Sequence, residues 1–355
     1  MTSTLTKSKI PALTSANPLL TPAAVDIGNH ETKLAIASDV AVIESAYAEV
    51  INDSEVGDIE DLNPGSTFVR YLNGTRDDLI GKKWLAGGDA RVMFPETYQR
   101  VVDYQNNQGK VRLGLQLLLA SIEPPKVGNR LEIVLTASLP DVALLSEAFK
   151  DALLGIHHIE RNGITFTVLI TAIEVYEEGT GAFLWGLAQG LFPQGSQVAT
   201  VDIGGGTVII QGFTAKGKPI PKTRDVTERG VNDLALAIAR DDRFRAYLGK
   251  HADPSLVLDG IRDGSFKYGG KGFNFSSIYS DHHRVWVQTT VAPALRKLQG
   301  IQDQIAAVLL IGGGSFLVQS IAKGSIHHCS TAQTVHVQGL LMLARRLAIG
   351  GLTNG

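Results

Sequence analysis

The chain has 355 residues, 44% of them hydrophobic and 19% charged, which suits two separate cores and excludes a disordered polymer. Lys and Arg number 33 against 35 Asp and Glu, so the net charge of −2 excludes a chain-wide attraction to nucleic acid or anionic membrane and leaves only a local basic patch open. The single cysteine, Cys329, cannot form an intrachain disulfide and points to a reducing, cytoplasmic setting. No apolar run approaches the roughly 20 residues of a membrane span. The longest, around Leu113–Ile122, contains Gln116, stops at Pro124-Pro125 and reads as a buried helix. The N-terminus carries Lys7 and Lys9, then Pro11, Pro18 and Pro22 among Ser and Thr. It lacks an apolar signal-peptide core, and Met1–Leu20 is expected to be a disordered tail.

From there strand-like and helix-like stretches alternate, which argues an α/β fold. Ala23–Ile27 and Lys33–Ala37 read as strands joined by a Gly-Asn turn, and Leu131–Ser138 as a central strand. Pro140-Asp141 opens a helix with Leu144, Leu145, Ala148, Phe149 and Ala152 at helical spacing. Asn162-Gly163 is a hairpin turn between Ile156–Arg161 and an alternating strand. Gln197–Ile203 and Val208–Phe213 form a second strand pair around Gly204-Gly205-Gly206. Gly230–Ala239 is expected to be helical. Ala306–Ile311 is a buried strand running into Gly312-Gly313-Gly314 and a helix-like Phe316–Ala322. Val335–Ile349 is a last amphipathic helix stopping at Gly350-Gly351.

Three glycine-bearing turns carry the chemistry. Asp26-Ile27-Gly28-Asn29, with Lys33 following, and Asp202-Ile203-Gly204-Gly205-Gly206-Thr207 share one pattern, an Asp and a glycine tip between two strands. Glycine lets backbone N–H groups approach a phosphate, and an Asp beside a polyphosphate implies a cation between them. Asp26 and Asp202 are therefore the expected holders of Mg²⁺, mainly through water. Two such hairpins suggest two related halves gripping one nucleotide. The third turn, Ile311-Gly312-Gly313-Gly314-Ser315, would let a base or ribose lie on the backbone. Neither G-x-G-x-x-G nor a P-loop is present here. The adjacent pairs His157-His158, His282-His283 and His327-His328 diverge in any regular structure and do not suggest a zinc site.

Taken together, the three turns resemble the two phosphate loops and the adenosine motif of the actin-like ATPase superfamily, from about Ala23 to Leu347. Ile173–Ala182 looks like the first connecting segment of the ParM/Alp plasmid-segregation actins, and Thr223–Leu234, with Glu228-Arg229-Gly230-Val231, resembles their helix beside the base. The resemblance implies two ribonuclease-H-like domains flanking a nucleotide cleft. Residues 21–196 with the returning segment 325–355 would form the first, and 197–324 the second. It implies ATP or GTP with Mg²⁺ as ligand. Gly28, Asn29, Gly204, Gly205, Gly206 and Thr207 would hold phosphates, Lys33 would offset developing charge, and Gly230, Gly312, Gly313 and Gly314 would line base and ribose. Aligning Gly181-Ala182 makes Glu178 the residue that orients the attacking water. Glu177 stands where the family has Pro, so the register between Glu177 and Glu178 stays open. The function implied is a filament-forming, nucleotide-hydrolysing bacterial actin that segregates DNA through a DNA-binding adaptor. A small-molecule kinase of the same superfamily and a non-polymerising ATP-binding scaffold are the alternatives.

Overall fold

A computed structural model describes residues 20–105, 108–227, 229–298 and 303–353. The expected tail, apart from Leu20, and Glu228 of the base-helix segment lie outside these residues.

In the first half, β1 (Thr21–Ile27), β2 (Glu31–Ile36) and β3 (Asp39–Glu44) make an antiparallel meander. Four strands follow, β4 (Ala46–Glu49), β5 (Thr67–Gly74), β6 (Lys83–Ala86) and β7 (Gln99–Arg100), with α1 (Gly88–Met93) before the last. The apolar run near Leu113 is helix α2 (Gly109–Ser121), buried on nearly every side, and β8 (Arg130–Leu139) is the expected central strand. Asp141 caps α3 (Val142–Leu153) by accepting the Leu144 N–H at 2.9 Å. Strands β9 (Gly155–Arg161) and β10 (Ile164–Glu177) meet at Asn162-Gly163, whose φ values of 47° and 79° are those of a tight hairpin turn. Helix α4 (Thr180–Ala188) leads to the second half.

There β11 (Gln197–Ile203), β12 (Val208–Phe213) and β13 (Pro219–Thr227) repeat the meander. Helices α5 (Val231–Ala239), α6 (Asp242–Leu248) and α7 (Pro254–Arg262) precede a small hairpin of β14 (Lys267–Tyr268) and β15 (Phe273–Asn274). Helix α8 (Ser276–Trp286) continues through one π-helical turn into α9 (Ala292–Lys297). Strand β16 (Ile305–Ile311), a 3₁₀ segment (Ser315–Ile321), β17 (Ile326–His328) and α10 (Val335–Thr353) complete the chain.

The first sheet runs β3-β2-β1-β8-β10-β9-β5-β6-β4-β7 and the second β13-β12-β11-β16-β17. Their shared five-strand pattern is a three-strand antiparallel meander followed by two parallel strands. The α/β class and the two related halves expected from the hairpins are present. Three sequence readings are corrected. Thr223–Thr227 extends strand β13 rather than the base helix, because Asp225, Val226 and Thr227 pair in register with Ile210, Ile209 and Val208 of β12. The last helix continues through Gly350-Gly351 to Thr353. Strand β17 lies beside β16, so the chain leaves the second sheet after the 324 boundary read from sequence.

Each sheet packs its own core, Leu115, Leu117, Phe149 and Ile170 around the first and Phe244, Phe275, Ile238 and Leu310 around the second. Between them α4 lays Phe183 against Phe213 of β12, ring centroids 5.2 Å apart. Helix α10 packs on β1 and β8, where Leu340 O accepts the Thr136 hydroxyl at 2.9 Å. The α4–α10 crossing is glycine on glycine: a Cβ on Gly339 would come 1.8 Å from Gly181 O, and one on Gly181 would come 2.1 Å from His336 O.

Candidate functional site

Between the sheets lies a cavity of about 870 Å³, within the usual range of small-molecule sites. The β1–β2 and β11–β12 turns face each other across it, and their tips are built alike. Gly28 N–H donates to Glu31 O at 2.9 Å and Gly204 N–H to Thr207 O at 2.8 Å. These two amides close the turns, and Gly28 and Gly204 themselves line the cavity. The amides of Asn29, Gly205 and Gly206 have no backbone partner among the described residues and sit on the cavity wall. Thr207, Gly313 and Gly314 also line the cavity, whereas Gly230 and Gly312 do not. They act from behind. A Cβ on Gly230 would lie 2.3 Å from Gly205 O, and one on Gly312, at φ +88°, would lie 2.2 Å from Asp202 Oδ1.

Equivalent positions near the ends of β1 and β11 bring Asp26 and Asp202 to the cleft floor, and a left-handed turn at Gly179, φ +89°, brings Glu178 beside them. Their environments differ. Asp26 accepts the Ser138 hydroxyl at 3.2 Å and lies 3.9 Å from Lys33 Nζ. Burial raises its pKa, but His336, Lys33, Lys110 and the Ser138 hydrogen bond outweigh that and hold it below the usual carboxylate range. Glu178 Oε1 accepts from Lys110 Nζ at 2.9 Å and Oε2 from Arg224 at 3.2 Å. Against the cost of burial, these two cations hold Glu178 below its usual pKa. Asp202 has the opposite balance. Burial pushes it up to about 6, and Asp26 and Glu178 add to this against Lys33 and Lys110. Glu177, one residue back, does not line the cavity.

Sequence reading missed several residues of this floor and wall. Lys110, 5% exposed, enters from the first turn of α2, Arg224 from β13 and His336 from the first turn of α10. The lysine at the head of an apolar helix was a signal; Arg224 and His336 offered none, since only the fold brings them to this cavity. On the far wall, Val231, Asn232, Leu258, Arg262 and Phe316 surround Gly313 and Gly314. The histidine pairs part as expected of neighbours. His157 Nδ1 contacts the Tyr71 hydroxyl and Nε2 the Leu153 carbonyl, both at 2.9 Å, while His158 bonds Thr167.

The donor set suits a hydrated divalent cation. Asp202 carries a charge that burial and Asp26 both oppose, and a cation would relieve it. Among the described residues no group of three or more His, Cys, Asp and Glu is arranged as a metal cage, so such an ion would depend on water and ligand oxygens. No helix among those residues is long and apolar enough to cross a membrane.

The model of "Actin like proteins N terminal domain" matches residues 24–181, and that of "Archaeal actin homologue MreB-like, C-terminal" matches 200–323. No curated protein matches by sequence. Among solved structures, the archaeal actin homolog Ta0583 superposes with a TM-score of 0.72 at 17% identity, over 92% of this chain and 100% of that one, and it has also been solved in complex with ADP. Bacillus thuringiensis ParM with AMPPNP gives 0.67 at 16% identity, over 93% and 99%. The Alp12 filament structure gives 0.62 at 15%, over 93% and 99%. With the fold, the twin-hairpin cleft and two complementary models covering most of its length, the chain belongs to the actin-like protein family.

Proposed function

We propose that this chain binds a nucleoside triphosphate with Mg²⁺, hydrolyses it, and assembles with copies of itself into filaments that segregate DNA through a DNA-binding adaptor in the bacterial cytoplasm. The observation that carries the reading is the pair of matched hairpin tips facing each other above Asp26, Asp202 and Glu178. ADP and AMPPNP are held by Ta0583 and by the Bacillus ParM, and Alp12 forms a filament, which makes ATP the first candidate and GTP the second. The near-neutral net charge of −2 accords with contact to DNA through an adaptor.

In this reading Asn29, Gly205, Gly206 and Thr207 grip the phosphates from both sides, and Gly313, Gly314 and Phe316 bracket the ribose and base. Asp26 and Asp202 hold Mg²⁺, which supplies neutralisation of phosphate charge when bound. Lys33, 8% exposed, offsets negative charge developing on the transferred phosphoryl group. Glu178, fixed by Lys110 and Arg224, accepts a hydrogen bond from the attacking water and sets its line of approach.

The test is light scattering and sedimentation with ATP, GTP, ADP and no nucleotide, followed by electron microscopy. Polymer with a triphosphate that decays as phosphate is released is expected. No sedimentable polymer with any nucleotide, across salt and concentration, would overturn assembly. Turnover that requires a hydroxylic small molecule would point to the kinase.

A further inference from the structure

His336 is the group on the cleft floor with no role so far. It lines the cavity with 5% exposure, and neither Nδ1 nor Nε2 has a hydrogen-bond partner. A neutral imidazole always presents one N–H donor and one lone pair, and burying both unmatched is costly unless a ligand or water meets them. The groups facing it are Asp26 from β1, Lys33 from β2, Lys110 from α2 and Glu178 from the β10–α4 turn. These are the residues that surround the proposed phosphoryl site. Its backbone is fixed as well, since His336 O packs against Gly181, just beyond Glu178.

Hydrolysis needs a proton acceptor, and Glu178 is a poor one. Its two oxygens are each engaged by a cation, Lys110 at 2.9 Å and Arg224 at 3.2 Å. We propose that the imidazole of His336, not the Glu178 carboxylate, takes the proton from the attacking water. The inference rests on the hydrolysis reading above. The water oxygen forms its bond to the γ-phosphorus as the bond from that phosphorus to the bridging oxygen breaks. The electron pair leaves with the diphosphate. The water proton passes to the unprotonated ring nitrogen, while the opposite N–H donates to water or a phosphate oxygen. The imidazolium then returns its proton to the released phosphate or to solvent. Burial holds the ring's pKa below its ordinary value, with Lys33 and Lys110 assisting against Asp26 and Glu178, so the ring is neutral and able to accept at pH 7.

The experiment compares wild type with His336→Gln, which keeps polarity but takes no proton, and with His336→Ala. Affinity for a fluorescent triphosphate analogue and phosphate release are measured from pH 5 to 9 at saturating Mg²⁺. Expected are affinities within about threefold of wild type and release slowed about 10²-fold. The acidic limb of the wild-type profile should be lost in His336→Gln, and added imidazole should partly restore His336→Ala in proportion to its unprotonated form. His336→Gln with wild-type rate and acidic limb overturns the proposal while leaving hydrolysis intact. So does a slow His336→Ala that imidazole fails to rescue while affinity and melting temperature fall with the rate, which marks a structural role. Wild type that binds nucleotide but releases no phosphate overturns the hydrolysis reading, and this one with it.

Discussion

Asp202 and Glu178 illustrate how neighbouring carboxylates on one cleft floor are driven apart by their surroundings. The folded chain holds a proton on Asp202 up to about pH 6, whereas an unfolded Asp releases it near 3.8. Protein without metal therefore loses stability as pH rises between those values, and at pH 7 the ionised carboxylate costs on the order of 1–2 kcal/mol, allowing for partial solvent screening of about 1.4 kcal/mol per unit. Asp202→Asn should raise the melting temperature of the metal-free chain at pH 7.5 and leave it nearly unchanged at pH 4, as read by scanning calorimetry. It should also abolish the stabilisation that added Mg²⁺ and nucleotide give wild type. A variant that melts below wild type at pH 7.5 without metal would refute the assignment of strain. Glu178 behaves otherwise because Lys110 and Arg224 compensate its charge. Glu178→Ala, which removes the acceptor that orients the water, should slow phosphate release about 10²-fold while sparing nucleotide affinity. It leaves buried Lys110 with less compensation, so a modest drop in melting temperature accompanies it. Glu177→Gln, outside the cavity, should hydrolyse normally; if it is the slow variant, the register of this segment is off by one.

At the scale of elements, the α4–α10 crossing positions two of the cleft-floor groups at once. Glu178 stands just before α4 and His336 in the first turn of α10, and the helices touch through Gly181 and Gly339 with no room for a Cβ on either. Gly339→Ala must push the helices apart, costing about 1–3 kcal/mol by overpacking. Phosphate release should fall more than nucleotide binding, because the hairpin tips are untouched. Equal losses in both, measured on folded variant, would show that the crossing does not position the floor. The same element explains what was legible beforehand. The strands and glycine tips could be read because β16 is a continuous apolar run, β1, β8 and β11 are rich in aliphatic residues, and each Asp-Ile-Gly lies within one local turn. Thr223–Thr227 was misread because its continuation really is helical, and strand pairing with β12 overrides that suggestion. Gly350-Gly351 was misread because glycine near a helix end often stops it but does not compel it. Lys110 stood out as a lysine at the head of an apolar helix, but its partner did not, and Arg224 was illegible: they meet Glu178 across 68 and 46 residues of sequence, a juxtaposition only the fold creates.

Over the whole molecule, the two halves are joined at the floor by α4 and α10 and again at the mouth. There Arg262 at the end of α7 reaches Glu31 at the start of β2, N to O 3.1 Å, and Gln333 donates to the other Glu31 oxygen at 2.7 Å. A nucleotide gripped by both hairpin tips needs the halves together, and its release needs them apart, so the Arg262–Glu31 pair should act as a latch on exchange rather than as a ligand. Arg262 is 38% exposed at its side chain and Glu31 15%, which puts the pair in the range of about 0.5–1 kcal/mol. If that energy is present only in the closed form, breaking the pair speeds diphosphate release by about two- to fivefold and leaves the hydrolysis step alone. Arg262→Ala and Glu31→Gln should each do this in stopped-flow release of a fluorescent diphosphate, and rising salt should erase the difference from wild type. Because both act through one contact, the double variant should release no faster than the faster single one. Additive effects would mean that each residue contacts the nucleotide or another partner separately, and release unchanged in all three would mean that the mouth contact carries none of the closure energy.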